Sequence, residues 1–136
     1  YDFGNVLISH GDNETFIFES HIPLERIVYE SNYLYYMQAI REPWLFVRWV
    51  VLNMNDGIAR DQISRVFFYH VNKDVFSQYY ELVMEDGGRK IYRVRESVVR
   101  DVAKKLGYDP KLIPTLNTDA KWDPAKFYEQ LKASKR

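Results

Sequence analysis

The stretch Tyr79-Tyr80-Glu81-Leu82-Val83-Met84-Glu85-Asp86-Gly87-Gly88-Arg89-Lys90-Ile91-Tyr92-Arg93-Val94-Arg95 decides the fold class, because it closes on itself in one sensible register. Two β-prone runs flank Asp86-Gly87-Gly88, and paired glycines supply the positive-φ positions of a tight hairpin turn. If Asp86–Gly88 form a three-residue loop, Glu85 opposes Arg89 and Glu81 opposes Arg93 on one face, while Leu82 meets Tyr92 on the other. A slip of one residue loses both ion pairs, so the pattern specifies its own register.

On the C-terminal side, Ser97 caps a helix that runs to Leu106 and stops at Gly107, with Lys104 and Lys105 in its last turn. Asp109-Pro110 and Asp123-Pro124 each put a capping residue before a proline and start further helical pieces. The last of these, Pro124–Lys135, offers Phe127, Tyr128 and Leu131 for docking and follows a polar linker, Pro114–Lys121.

Toward the N-terminus, the run from Gln62 alternates, with Val66, Phe68 and His70 on one side and Phe67, Tyr69 and Val71 on the other. That predicts a strand, turned at Asn72-Lys73-Asp74 and returning over Phe76–Met84. Asn55-Asp56-Gly57 is a break. Trp44–Met54 is too apolar for periodicity to decide between strand and buried helix. Leu24, Ile27, Val28, Leu34, Met37 and Ile40 recur at three- and four-residue steps and predict a helix. Either Pro23 opens it or Ser31-Asn32 caps it, and Pro43 ends or kinks it. Val6-Leu7-Ile8 and Thr15–Glu19, separated by Gly11-Asp12-Asn13, predict a first hairpin.

Composition narrows the function classes. Hydrophobic residues make up 46% and charged residues 28% of 136, the balance of a folded domain rather than a disordered chain. Nineteen basic residues offset 19 acidic ones, which argues against bulk attraction to nucleic acid or anionic membrane. There is no cysteine, hence no disulfide or thiol nucleophile. Trp44–Leu52, the most apolar run, is far shorter than the ~20 residues a membrane helix needs. The start, Tyr1-Asp2-Phe3-Gly4, lacks signal-peptide character, and a first residue other than Met fits a trimmed chain. Eleven Tyr and 8 Phe fit a tyrosine-faced sheet or a surface that meets a partner.

Chemical motifs are incomplete. His10, Asp12, Glu14 and His21 are metal-capable but match no zinc or calcium spacing, and a turn rich in Asp and Asn accounts for them. His70 reads as a strand-face residue, no Gly-x-Ser-x-Gly elbow exists, and Gly87-Gly88 lacks the helix of a phosphate cradle. No metal or cofactor is expected. Arg89, Lys90, Arg93, Arg95, Arg100, Lys104 and Lys105, with Tyr92 between, form the best local basic patch, and Arg89, Lys90, Tyr92 and Arg93 are the candidate nucleic-acid contacts. Glu81, Glu85 and Glu96 stand ready to neutralise them.

The stretch Ile27-Val28-Tyr29-Glu30-Ser31-Asn32-Tyr33-Leu34, continued by Tyr36, Met37, Ala39, Arg41 and Glu42, resembles the entry to the central helix of hotdog-fold acyl thioesterases. The resemblance covers about sixteen residues. It implies an α+β fold in which a bent antiparallel sheet wraps a central helix, spanning 1–113, with 114–136 as linker and C-terminal helix. It also implies pairing through sheet edges, as a homodimer or with another protein partner. In such thioesterases an Asp and a Gly precede the helix; Pro23 and Arg26 stand in those places here. The resemblance therefore implies a domain that has lost standard catalysis and acts as an interaction or accessory subunit. The alternative is a working acyl-thioester hydrolase or binder, with His21 or Glu25 as the catalytic polar group and Asn32 and Tyr33 at the helix start as substrate-binding residues.

Overall fold

The computed structural model describes residues 1, 4–9, 13–29, 39–55, 58–70, 73–113, 115 and 116. The elements are β1 (Val6–Leu7), α1 (Glu14–Glu19), a 3-10 turn (Leu24–Arg26), β2 (Ile27–Val28), α2 (Pro43–Phe46), β3 (Trp49–Asn55) and β4 (Ile58–Ala59). They continue as α3 (Gln62–His70), α4 (Lys73–Tyr79), β5 (Tyr80–Asp86), β6 (Arg89–Val94), α5 (Glu96–Leu106) and a second 3-10 turn (Pro110–Leu112). The fold is α+β, built on one mixed sheet of order β2-β1-β3-β6-β5, with β4 paired to the end of β3.

The expected antiparallel hairpin holds for β5 and β6, antiparallel pairing extends from β6 to β3 and β4, and the expected N-terminal hairpin fails. β1 runs parallel to both β2 and β3, matching Val6 with Ile27 on one side and with Trp49 on the other. Parallel neighbours need a crossover rather than a tight turn. The connection from β1 to β2 accordingly passes through α1, where a second strand was expected. Thr15–Glu19 is β-prone, but as a helical turn it buries Ile17 and half-buries Phe16 while Phe18 faces solvent. Burial overrides the weak strand propensity of those residues.

Gln62–His70 and Lys73–Tyr79 are likewise helices where strands were expected. The deciding feature is Asp61, whose Oδ1 accepts the Ser64 backbone N–H at 2.8 Å in the manner of a helix N-cap. Ile63 and Phe67, one turn apart, then both fall in the core. Trp44–Met54 divides between the two readings left open for it: α2 comes first, with Pro43 at its first turn, and β3 follows. Residues 39–41 are helical up to the break at Glu42. Beyond the hairpin, α5 ends at Gly107 in the left-handed conformation, φ 78°, as expected, and Asp109 caps the last 3-10 turn through Lys111 N. The expected helix Pro124–Lys135 lies outside the described residues.

Strand alternation divides the core into two. Leu7, Val28, Val50, Leu52, Tyr80 and Val94 face α2, α3, α5 and Ile113 on one side of the sheet. Val6, Ile8, Ile27 and Val51 face Ile17 and Ile22 on the other. Helices thus lie on both faces, but the second face has only the six-residue α1 and the loop after it as cover among the described residues.

Candidate functional site

The hairpin opened above sets the geometry. Gly87 and Gly88 take φ of 56° and 86°, both positive, which makes a two-residue turn rather than the expected three-residue loop. Asp86 therefore pairs with Arg89, and Glu85 with Lys90 instead of Arg89. A bulge between Leu82 and Met84 takes up the extra residue, so that Glu81 opposite Arg93 and Leu82 opposite Tyr92 come out as expected.

The result is a seven-residue outer strand with an apolar middle. Leu82 is 46% exposed, Val83 40% and Met84 57%. Among the described residues no strand pairs with the outer edge of β5. The bulge is its one structural blunting; it carries no Pro and no Lys, the usual protections of an edge. Val83 and Met84 continue into a groove of about 440 Å³ on the α1 side, floored by Trp49, Val51 and Ile91 and walled by Phe16 and Ile22. Arg93 stands at its margin, 5.9 Å above the Trp49 ring, and binds Glu81 at 3.2 Å.

Period-two alternation splits the four candidate nucleic-acid contacts between opposite faces of the sheet. Arg89 and Arg93 lie on the α1 side, where Arg89 stacks 5.0 Å over Phe16 and donates to Asn13 Oδ1 at 2.8 Å. Lys90 and Tyr92 line a second cleft on the other side, with Phe67 and Phe76. Strand geometry therefore separates into pairs what the sequence presents as one patch.

Asn13, Asn53 and Asp61 clamp the start of α1, the end of β3 and the start of α3. Asn13 Nδ2 donates to Ser9 O, and Asn53 Nδ2 donates to both Asn13 Oδ1 at 3.1 Å and Asp61 Oδ2 at 2.8 Å. Ser64 Oγ accepts the Asn53 backbone N–H at 2.7 Å. Asn13, Asp61 and Ser64 are buried, and their mutual bonds offset the cost of burying them. At the opposite end of the sheet, buried Arg48 pairs with Glu96 in the first turn of α5.

Of the candidate catalytic residues, His21 is exposed in the turn after α1 with a left-handed φ of 58°. Glu25 falls in the 3-10 turn Leu24–Arg26. Asn32, Tyr33, His10 and Asp12 lie outside the described residues. Among those described, no group of three or more metal-capable side chains comes together, and no helix is long and apolar enough to cross a membrane. Two tyrosines have perturbed hydroxyls. Burial pushes Tyr80 well above its ordinary pKa, and its proton is donated to Val47 O at 2.6 Å. Burial, and then the nearby Glu85 carboxylate, raise that of Tyr92. Comparison of the chain with known protein families, with curated proteins and with solved structures finds no match.

Proposed function

We propose that this chain is a protein-interaction domain that takes up an extended polypeptide segment along β5, with the partner's inward side chains seated in the groove beside Val83 and Met84. The observation that carries this reading is the edge itself: among the described residues nothing pairs with the outer side of β5, whose exposed middle is apolar and runs straight into an apolar groove. Added strands gain main-chain hydrogen bonds from such an edge and specificity from pockets for alternate side chains.

The partner's chemistry follows from charge. Tyr80–Asp86 carries three acidic residues and no basic one. Glu81 is held by Arg93 and Arg95, and Glu85 and Asp86 set the charge of the strand's far end, so the segment that fits is apolar in alternation with lysine or arginine. Two copies of β5 in full antiparallel overlap would set Glu81 against Glu85, which disfavours the symmetric dimer.

An NMR titration with two acetylated peptides, one alternating Lys and Val and one alternating Glu and Val, tests this. Saturable shifts in the β5 amides with the first alone, lost in Met84→Lys, are the expected result. Equal response to both peptides, or none, would overturn it. A dimer in solution that Met84→Lys dissolves would assign the edge to a second copy instead.

The thioesterase-like ancestry and its lost catalysis rest on the resemblance of residues 27–42. Hydrolysis of an acyl-CoA panel that disappears in Glu25→Ala or His21→Ala would make the domain an acyl-thioester hydrolase and end the degenerate reading.

A further inference from the structure

The cleft on the opposite face of the sheet from the groove has a different character. It measures about 330 Å³ and lies among α3, α4, β3 and β6. Leu52, Met54, Phe67 and Phe76 give it an apolar base. Its aromatic walls are held by their mutual geometry. Phe76 meets Phe67 edge-on at 5.3 Å and Tyr92 edge-on at 5.0 Å, and it stacks on Tyr80 at 4.9 Å. Three ring contacts on one side chain make a preformed wall rather than a surface that must reorganise.

Among the described residues lining this cleft the charged ones are Lys73 and Lys90, with no carboxylate. Lys90 lines the cleft, is half-buried and pairs across the sheet with Leu52, an arrangement in which a lysine lays its stem on apolar surface and keeps its ammonium toward water. Tyr92 lines the same cleft, and burial keeps its hydroxyl protonated. Glu85 faces Lys90 in the hairpin register and competes for the ammonium.

We propose that this cleft is a binding site for a small aromatic carboxylate, whose ring lies against the wall of Phe67, Phe76 and Tyr92 and whose carboxylate meets Lys90. The cleft's volume of about 330 Å³ suits a ligand the size of a single substituted ring. Ring–edge packing selects a flat body, and a charge-assisted hydrogen bond to the ammonium selects the anion.

Phenylpropionate is the probe, with phenylpropanol and inorganic phosphate as its two halves, followed by NMR of the whole chain. Phenylpropionate should give saturable shifts at Leu52, Phe67, Phe76 and Tyr92, with phenylpropanol and phosphate each roughly tenfold weaker or more. Lys90→Gln should weaken phenylpropionate roughly tenfold with the fold intact by circular dichroism, and Glu85→Gln should tighten it. Equal binding of phenylpropanol would leave only an apolar hole, and equal binding of phosphate only a surface cation. Either result overturns the proposal, as does indifference to Lys90→Gln or the absence of saturable shifts.

Discussion

The two faces of this one sheet are built from equally apolar strands but differ in how they are covered. Along β3, Trp49 and Val51 point to the α1 side and Val50 and Leu52 to the other, so the sequence Trp49-Val50-Val51-Leu52 shows no polar alternation. One face is closed by α2, α3, α5 and Ile113. The other is closed by α1 over β1 and β3 but, among the described residues, left open over β5 and β6, where the groove lies. A face that is apolar in sequence and only partly covered in structure is where a binding partner is to be sought.

The sharpest way to test this contrast is to remove the same kind of side chain from each face. Leu7 is fully buried at the centre of the closed face. Leu7→Ala should cost about 3–4 kcal/mol, a transfer loss plus an unrelaxed cavity. Half-buried Ile91, in the floor of the open groove, should cost about 1 kcal/mol on truncation, because water already reaches the site. Urea unfolding of both variants measures the gap; equal losses would mean that the open face is as well packed as the closed one.

The clamp that joins the two sides comes next in size. Asp61 accepts from the backbone of Ser64 and from the Asn53 amide while almost wholly buried. Asp61→Ala should destabilise by about 2–3 kcal/mol, since it removes a helix cap and strands a buried amide donor. Asp61→Asn, which retains an acceptor, should recover part of that loss in the same urea assay.

How much of this was legible in the sequence follows the same division. The hairpin could be read because Asp86-Gly87-Gly88 fixes the turn locally and the pairing it enforces is between near neighbours. Nothing in the sequence marks Val83 as a bulge, so the loop length came out one residue long although the distal pairs were right. The parallel strands were not legible. β1 meets β2 and β3 across long separations, and the β-prone Thr15–Glu19 looked like a closer partner. The run from Gln62 read as a strand because its Val and Phe residues alternate; Asp61, three residues before Ser64, was the helix signal that outweighs them. Arg89, Lys90, Tyr92 and Arg93 were recognisable as unusual, and applying period two to them would have separated them into pairs. The cleft around Phe76 draws its lining from residues 52 to 92, a juxtaposition that only the fold creates.

On the closed face, Tyr80 gives a smaller effect with a definite pH signature. Its hydroxyl proton satisfies Val47 O, so Tyr80→Phe should cost about 1 kcal/mol at neutral pH. Its folded-state pKa lies above the unfolded value. As pH rises past about 10, the unfolded chain therefore loses this proton while the folded chain keeps it, and stability falls with pH. Tyr92 shifts in the same direction. The variant Tyr80→Phe should show a shallower alkaline decline than the parent in thermal melts between neutral pH and pH ~11. A parallel decline in the two proteins would dismiss Tyr80 as its source.

The smallest effect on stability is expected where the effect on function should be greatest. Met84 is 57% exposed on β5, so Met84→Lys forfeits little burial and should change stability by no more than about 0.5 kcal/mol. A lysine there nevertheless sets a charge on an edge strand beside the groove, the device by which sheets refuse further pairing. Unchanged unfolding together with complete loss of the basic peptide's binding would separate docking from folding at a single residue. A large loss of stability would instead mean that Met84 is packed in the molecule's own core. The open face would then be closed by the chain itself, and the contrast between the two faces would disappear.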